Sequence, residues 1–382
     1  MIRARIRASR TLLISSLALA SLPVLTQAQA AHDHDPGGAV FVMTNAADKN
    51  EIISYARKSD GSLTDRHIFA TGGRGSGGAT DPLGSQGSLT LSQDHSFLLA
   101  VNAGSGEISV FRVFGSSLFL VSKVPCGGSE PVAVAEHNHL VYVVNAGGAS
   151  NVTGFLLNNA GQLKPIANST AFLTTTNSGA SSLSFSADGQ FLLVAEKLNS
   201  NIDSFPVQTN GTLGTLVANA SPGPGLFGVL FAPNGTALTT QTGPAGSSGE
   251  SAISSYAVES SGSLSTTSAN VPTDASATCW HVVTPNGKFV YTSNPGSGTI
   301  SGFSLASNGT LTPIGSTVVA TLPAGSANLD IAVSADGKFL YTVDSGTGTV
   351  SVLSINSDGT VTIDNDVPGL TANAGYNGIA AE

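Results

Sequence analysis

The stretch Val333–Ile355, VSADGKFLYTVDSGTGTVSVLSI, decides the fold. Phe339–Val343 and Val350–Ile355 alternate apolar and small polar residues with the period of two that marks a strand. The Asp336-Gly337 pair before the first run supplies the positive φ of a tight hairpin turn. The link DSGTGT is too rich in glycine to be helical. A second turn, Ser357–Gly359, leads to a further strand. One unit is therefore four antiparallel strands.

The unit recurs. FSADGQFLLVAE stands at Phe185–Glu196, VTPNGKFVYTSNPGSGTISGFSL at Val283–Leu305 and LSQDHSFLLAVNAGSGEISVF at Leu91–Phe111. The residues closing the second strand of each unit are Asn45, Asn102, Asn145, Glu196, Gln241, Asn294 and Asp344. Their spacing of about 50 residues, with four strands per unit, predicts an all-β, seven-bladed β-propeller. The ends complement each other. GAVFVMTNA, Gly38–Ala46, opens on the second strand of the first blade, and GYNGIAAE, Gly375–Glu382, supplies its missing inner strand. The C-terminal strand is expected to complete the first blade and close the ring, hiding the edges.

The first thirty residues form a separate segment. Arg3, Arg5, Arg7 and Arg10 precede the apolar run TLLISSLALASLPVL, and Ala28–Ala30 places small residues where a signal peptidase reads. The expected layout is a signal peptide over 1–30, a flexible tail over 31–37 and the propeller over 38–382, secreted or periplasmic and monomeric. The tail's HDHD, His32–Asp35, reads as solvated rather than as a metal site. The chain has 15 Lys+Arg against 24 Asp+Glu, a net charge of −9. Loss of the four leader arginines makes the mature protein more acidic still. An acidic surface excludes nucleic acid and anionic membranes as partners. Cys126 and Cys279 enter the third and sixth blades, across the ring from each other, and are expected to be free thiols.

The S-x-D-G-x-F-L and N-x-G-S-G-x-I-S-V-F hairpins, with their period near 50, resemble those of the seven-bladed lactonase propellers. That group includes bacterial 6-phosphogluconolactonase-type proteins and fungal carboxymuconate-lactonizing enzymes. The resemblance spans Gly38–Glu382. It implies action on a small-molecule lactone or organic acid without metal or other cofactor. It also implies His, Glu and Arg side chains on one face, with His281 and Glu130 as counterparts. No Arg or Lys stands at the start of any inner strand, which disfavours a phosphorylated substrate.

The loops place the site. Asp-Gly and Asn-Gly turns occupy one face, and long connections such as Ala70–Gly87 occupy the other, where binding tends to reside. The inner strands begin there with residues that break the repeat: Gln86, Ser88, Glu130, Ser182, Phe227, Trp280, His281, Asn328, Asp330 and Asn377. His281 is the candidate general base, with Glu130 or Asp330 its partner and Trp280, the sole Trp, an aromatic wall. Arg74, in GGRGSGG, is placed to hold a substrate carboxylate. Gln86, Ser88, Ser182, Phe227, Asn328 and Asn377 complete the expected contact ring. Two functions fit: a secreted lactone hydrolase or cyclase acting on a small organic acid or unphosphorylated sugar lactone, or a non-catalytic propeller presenting its loop face to a protein or glycan.

Overall fold

Each hairpin turn is fixed by its own side chains. In blade 7, Asp336 Oδ1 accepts from Ser334 Oγ at 2.6 Å and from Lys338 N at 3.1 Å. Ser334 Oγ accepts in turn from Phe339 N at 3.0 Å, and Gly337 takes φ +70°. The same device recurs at Ser186–Asp188, Ser92–Asp94 and Thr284–Asn286. The short polar side chain satisfies backbone donors that a two-residue turn leaves free.

The computed structural model describes Met1 and residues 37–382; the expected signal peptide and the HDHD tail lie outside the described residues. The described chain forms seven antiparallel sheets. From the inner strand outward, blade 7 runs Asn328–Val333, Phe339–Asp344, Thr349–Ile355 and Val361–Pro368. Blades 2, 4, 5 and 6 repeat this order in four strands each. Blade 1 takes its inner strand, Ile379–Ala381, from the C-terminus, pairing Phe41 with Ala380 and Val42 with Ile379. Two further bonds lock the closure: Glu382 N donates to Ala39 O at 2.8 Å, and Arg57 Nε to Glu382 O at 2.9 Å. Arg57 also pairs with Asp336 of blade 7 at 3.4 Å.

Blade 3 departs from the pattern. Its outer strand is split into Leu163–Pro165 and Ala171–Phe172. Pro165 removes a ladder donor and Asn168 sits at φ +59°, so the strand breaks between them.

Neighbouring blades are clamped by hydroxyls. Tyr142 donates to Gly211 O at 2.8 Å, Tyr291 to Gly359 O at 2.8 Å and Tyr341 to Gly61 O at 3.0 Å, each reaching the outer turn of the next blade. Between these links the blades pack through fully buried strands such as Phe97–Asn102 and Phe339–Asp344. Cys126 and Cys279 are buried and free.

Candidate functional site

The segment before the inner strand of blade 2 crosses the channel. Gln86 N donates to Ser181 O of blade 4 at 2.9 Å, and its Nε2 to His281 O of blade 6 at 2.6 Å. Ser85 Oγ donates to Val132 O of blade 3 at 2.8 Å. Trp280 Nε1 donates to Ser85 O at 2.7 Å. Ser85 and Gln86 are thus stitched to three other blades. Gln86 and Trp280, expected as ligand contacts, are engaged in this plug, and Trp280 is buried with its edge against Phe227 at a 5.0 Å centroid distance.

Much of the remaining ring is likewise engaged inside the fold. Ser182 Oγ donates to Val229 O at 3.2 Å. Asn328 Nδ2 donates to Ser293 Oγ at 2.6 Å and Thr299 O at 3.1 Å. Asp330 accepts backbone N–H bonds from Ile331 at 2.9 Å and Ile379 at 3.1 Å, so it anchors the closing strand; burial pushes its carboxyl up to about 7. His281 is wholly buried, and among the described residues neither ring nitrogen makes a well-formed hydrogen bond; burial pulls it down to about 3 against a pull from the Leu238 backbone. It packs against Gly228, where a Cβ would stand 3.0 Å from its Nδ1 and 2.3 Å from Gln86 Oε1. His281 is therefore closed off from solvent, whereas Glu130 is exposed, at φ +55°. Arg74 is exposed too, its backbone N–H held by Ser105 Oγ at 3.0 Å.

Two residues outside the expected ring occupy the mouth. Lys197 lies in the turn after Glu196 in blade 4, partly buried. Its Nζ donates to Gly84 O and sits 5.4 Å from the centre of the Phe227 ring. Burial lowers the ammonium pKa, while the charges of Asp81 and Glu130 oppose the shift. Asp81 lies in the long Ala70–Gly87 connection. Its Oδ1 accepts from Gly84 N at 2.9 Å and from Asn377 Nδ2 at 2.8 Å, and among the described residues no hydrogen bond occupies Oδ2. Burial raises its carboxyl, against the pull of these two donors and of Lys197. Gly84 makes the approach possible: a Cβ there would lie 2.6 Å from Lys197 Nζ and 4.0 Å from Asp81 Oδ2.

Asn377 and Ser88 find a role here. Ser88 Oγ donates to Asn377 Oδ1 at 2.8 Å, which fixes the amide so that its nitrogen faces Asp81. A relay from blade 2 through the ring-closing segment thus orients the carboxylate. The mouth combines a desolvated cation, an oriented carboxylate with one free oxygen, and an aromatic face. A carboxylate shifted upward suits proton transfer near neutrality, and a fixed ammonium in a sheltered site stabilises developing negative charge.

The channel also opens on the short-turn face. There a cavity of about 530 Å³ is lined by Gln86, Val134, Phe185, Phe231 and, at its rim, Gln93 and His137. Its rim is internally paired: Gln93 Nε2 and His137 Nδ1 are 3.1 Å apart.

No family model matches the chain, and no curated protein matches it. Solved structures do. A candidate 6-phosphogluconolactonase from Bacteroides uniformis aligns at TM-score 0.67 and 18% identity, covering 90% of this chain and 98% of the other. A second, from Bacteroides fragilis, aligns at 0.66 and 18%, covering 89% and 97%. The periplasmic gluconolactonase of Pseudomonas aeruginosa aligns at 0.67 and 16%, covering 90% and 98%. At these identities the likeness is one of architecture, and on that ground the chain has the seven-bladed fold of the lactonase-type propellers.

Proposed function

We propose that the loop-face mouth hydrolyses the lactone of a small, unphosphorylated sugar acid or organic acid outside the cytoplasm. The observation that carries this reading is the placement of Lys197 Nζ and Asp81 Oδ2 on the same point above Gly84. Asp81 Oδ2 takes a proton from water, and the oxygen attacks the lactone carbonyl carbon. The carbonyl oxygen becomes an oxyanion facing Lys197. The ring C–O bond then breaks, and the alkoxide recovers the proton from Asp81, so water and lactone give the hydroxy acid. Phe227 offers a face for the ring carbons.

Asp81 takes the base role in this reading rather than His281, whose nitrogens are shut away from solvent. Glu130 and Arg74 on the rim contact the exocyclic groups of the substrate. One lysine on an acidic protein suits a neutral lactone whose charge develops only in the transition state. A phosphate would call for a fixed cluster of cations. The cation missing from the inner-strand starts is supplied by Lys197, which favours the enzymatic reading over a binding propeller. The test is a panel of sugar and organic-acid lactones, phosphorylated and not. Turnover of an unphosphorylated member is expected. A folded protein that turns over none of them leaves the binding propeller as the better reading.

A further inference from the structure

The turn that carries Lys197 rests on a pair of wholly buried carboxyl groups. In blades 2, 6 and 7 the residue closing the second strand hydrogen-bonds a serine seven positions on: Asn102 to Ser109 at 2.8 Å, Asn294 to Ser301 at 2.9 Å, and Asp344 with Ser351. In blade 4 the closing residue is Glu196, and the position of the serine holds Asp203. Both are fully buried. Glu196 accepts from three donors, Thr174 N at 3.1 Å, Asn199 Nδ2 at 2.6 Å and the Thr174 hydroxyl, which leaves a carboxylate room for one more. That set suits an ionised carboxylate. Neither oxygen of Asp203 meets a donor of comparable quality, and its side chain faces Glu196.

Two buried carboxylates in contact repel strongly unless a cation or a proton lies between them. We propose that Asp203 is held as a neutral carboxylic acid donating its hydroxyl to Glu196, and that this bond locks the turn that positions Lys197, so that loss of the proton releases the turn. Glu196 transmits the lock directly, because Asn199 of the turn donates to it while Lys197 N and Leu198 N hold Gly179 O and Ser178 O at 3.1 and 3.0 Å. Burial, followed by the charge of Glu196, pushes Asp203 up to about 7, so the lock opens in the neutral range. Among the described residues no other charge acts on it: the remaining residues of its own strand, of Phe191–Ala195, of Val217–Ala220, of Leu226–Phe231 and of Leu173–Ser178 carry no titratable group, and Lys197 turns its ammonium to Gly84.

The consequence for turnover rests on the reading of Lys197 given above; the lock itself does not. The test is amide hydrogen exchange at Lys197 and Leu198 in the full protein between about pH 5.5 and 8.5, with chelator present, for wild type, Asp203→Asn and Glu196→Gln. After correction for intrinsic base catalysis, wild type should lose about tenfold of its protection as the pH rises. Asp203→Asn, whose amide donates permanently to Glu196, should keep it. Glu196→Gln, which leaves one carboxyl in place of two, should flatten the profile as well. A wild-type profile that Asp203→Asn leaves unchanged overturns the proposal. So does a loss of protection caused by the chelator, which would put a metal ion where the proton is assigned. Failure to hydrolyse any lactone with the exchange result intact would remove the proposed function and leave the lock.

Discussion

Trp280 of blade 6 donates its indole N–H to the carbonyl of Ser85, 2.7 Å away on the segment leading into blade 2. The bond runs across the ring, not around it, and makes the sole tryptophan a stay of the plug. Trp280→Phe removes the donor and leaves a void beside Phe227. The expected loss is about 1–3 kcal/mol of stability, read as a lower midpoint in a circular-dichroism melt. Substrate KM should be little changed, since the indole is buried.

Ring closure gives a second expectation. Removing Gly375–Glu382 deletes the inner strand of blade 1, uncovers Val40 and Val42, and takes Asn377 from Asp81. Calorimetry should show the cooperative transition lost or the protein aggregated. A truncated chain melting like the full one would mean that the ends do not seal the ring.

Stability should fall as pH rises. Asp203, Asp330 and Asp344 are each pushed up to about 7 from an ordinary 3.8, and Glu382 to about 6 from 4.5. Between those limits the folded state binds more protons than the unfolded one, so the stability is present at the acid end and is lost toward neutrality. His281, drawn down to about 3 from 6.5, acts the other way but is outnumbered by these acids, to which the raised Asp81 adds. The melting temperature should be several degrees higher near about pH 5 than near about pH 8. A flat or rising profile over that window would contradict the assignment of these buried acids.

The pH–rate profile follows from the two mouth residues. Asp81 must be ionised to act as base, and its raised pKa moves the acid limb above the ordinary 3.8. Lys197 must be charged to face the oxyanion, and its lowered pKa brings the alkaline limb below 10.5. Lys197→Met should lose the alkaline limb while the acid limb persists in any residual activity.

The architecture was legible because each blade spells out its turns. Asp-Gly and Asn-Gly pairs, flanked by period-two strands, admit few geometries, and Gly375–Glu382 complements Gly38–Ala46 too closely for an open array. The split outer strand of blade 3 was foreshadowed only by Pro165. The site was harder to see. Inner-strand starts do converge on the channel, but their polar groups are spent inside the fold: Trp280 on Ser85, Gln86 on His281, Asn328 on Ser293 and Thr299, and Asp330 on Ile331 and Ile379. Lys197 sits in a turn two strands out, and Asp81 in the middle of a long connection. A signal for the lysine did exist: blades 2, 3, 6 and 7 use glycine-rich links such as AGSG and PGSG where blade 4 has KLNS. The same departure from the repeat marks Asp203. Nothing in the sequence alone says that Gly84 brings lysine and carboxylate together, because that depends on a loop crossing the channel.

The most direct measurement is steady-state hydrolysis of an unphosphorylated sugar lactone, D-glucono-δ-lactone, by wild type, Asp81→Asn and Lys197→Met, with spontaneous opening subtracted. Loss of a positioned base or of the oxyanion-facing ammonium should lower kcat/KM by about 10²-fold or more in each variant. His281→Ala, assayed alongside, should lose stability and little else. Hydrolysis that survives unchanged in both mouth variants, or that disappears in a fully folded His281→Ala protein, would contradict the account.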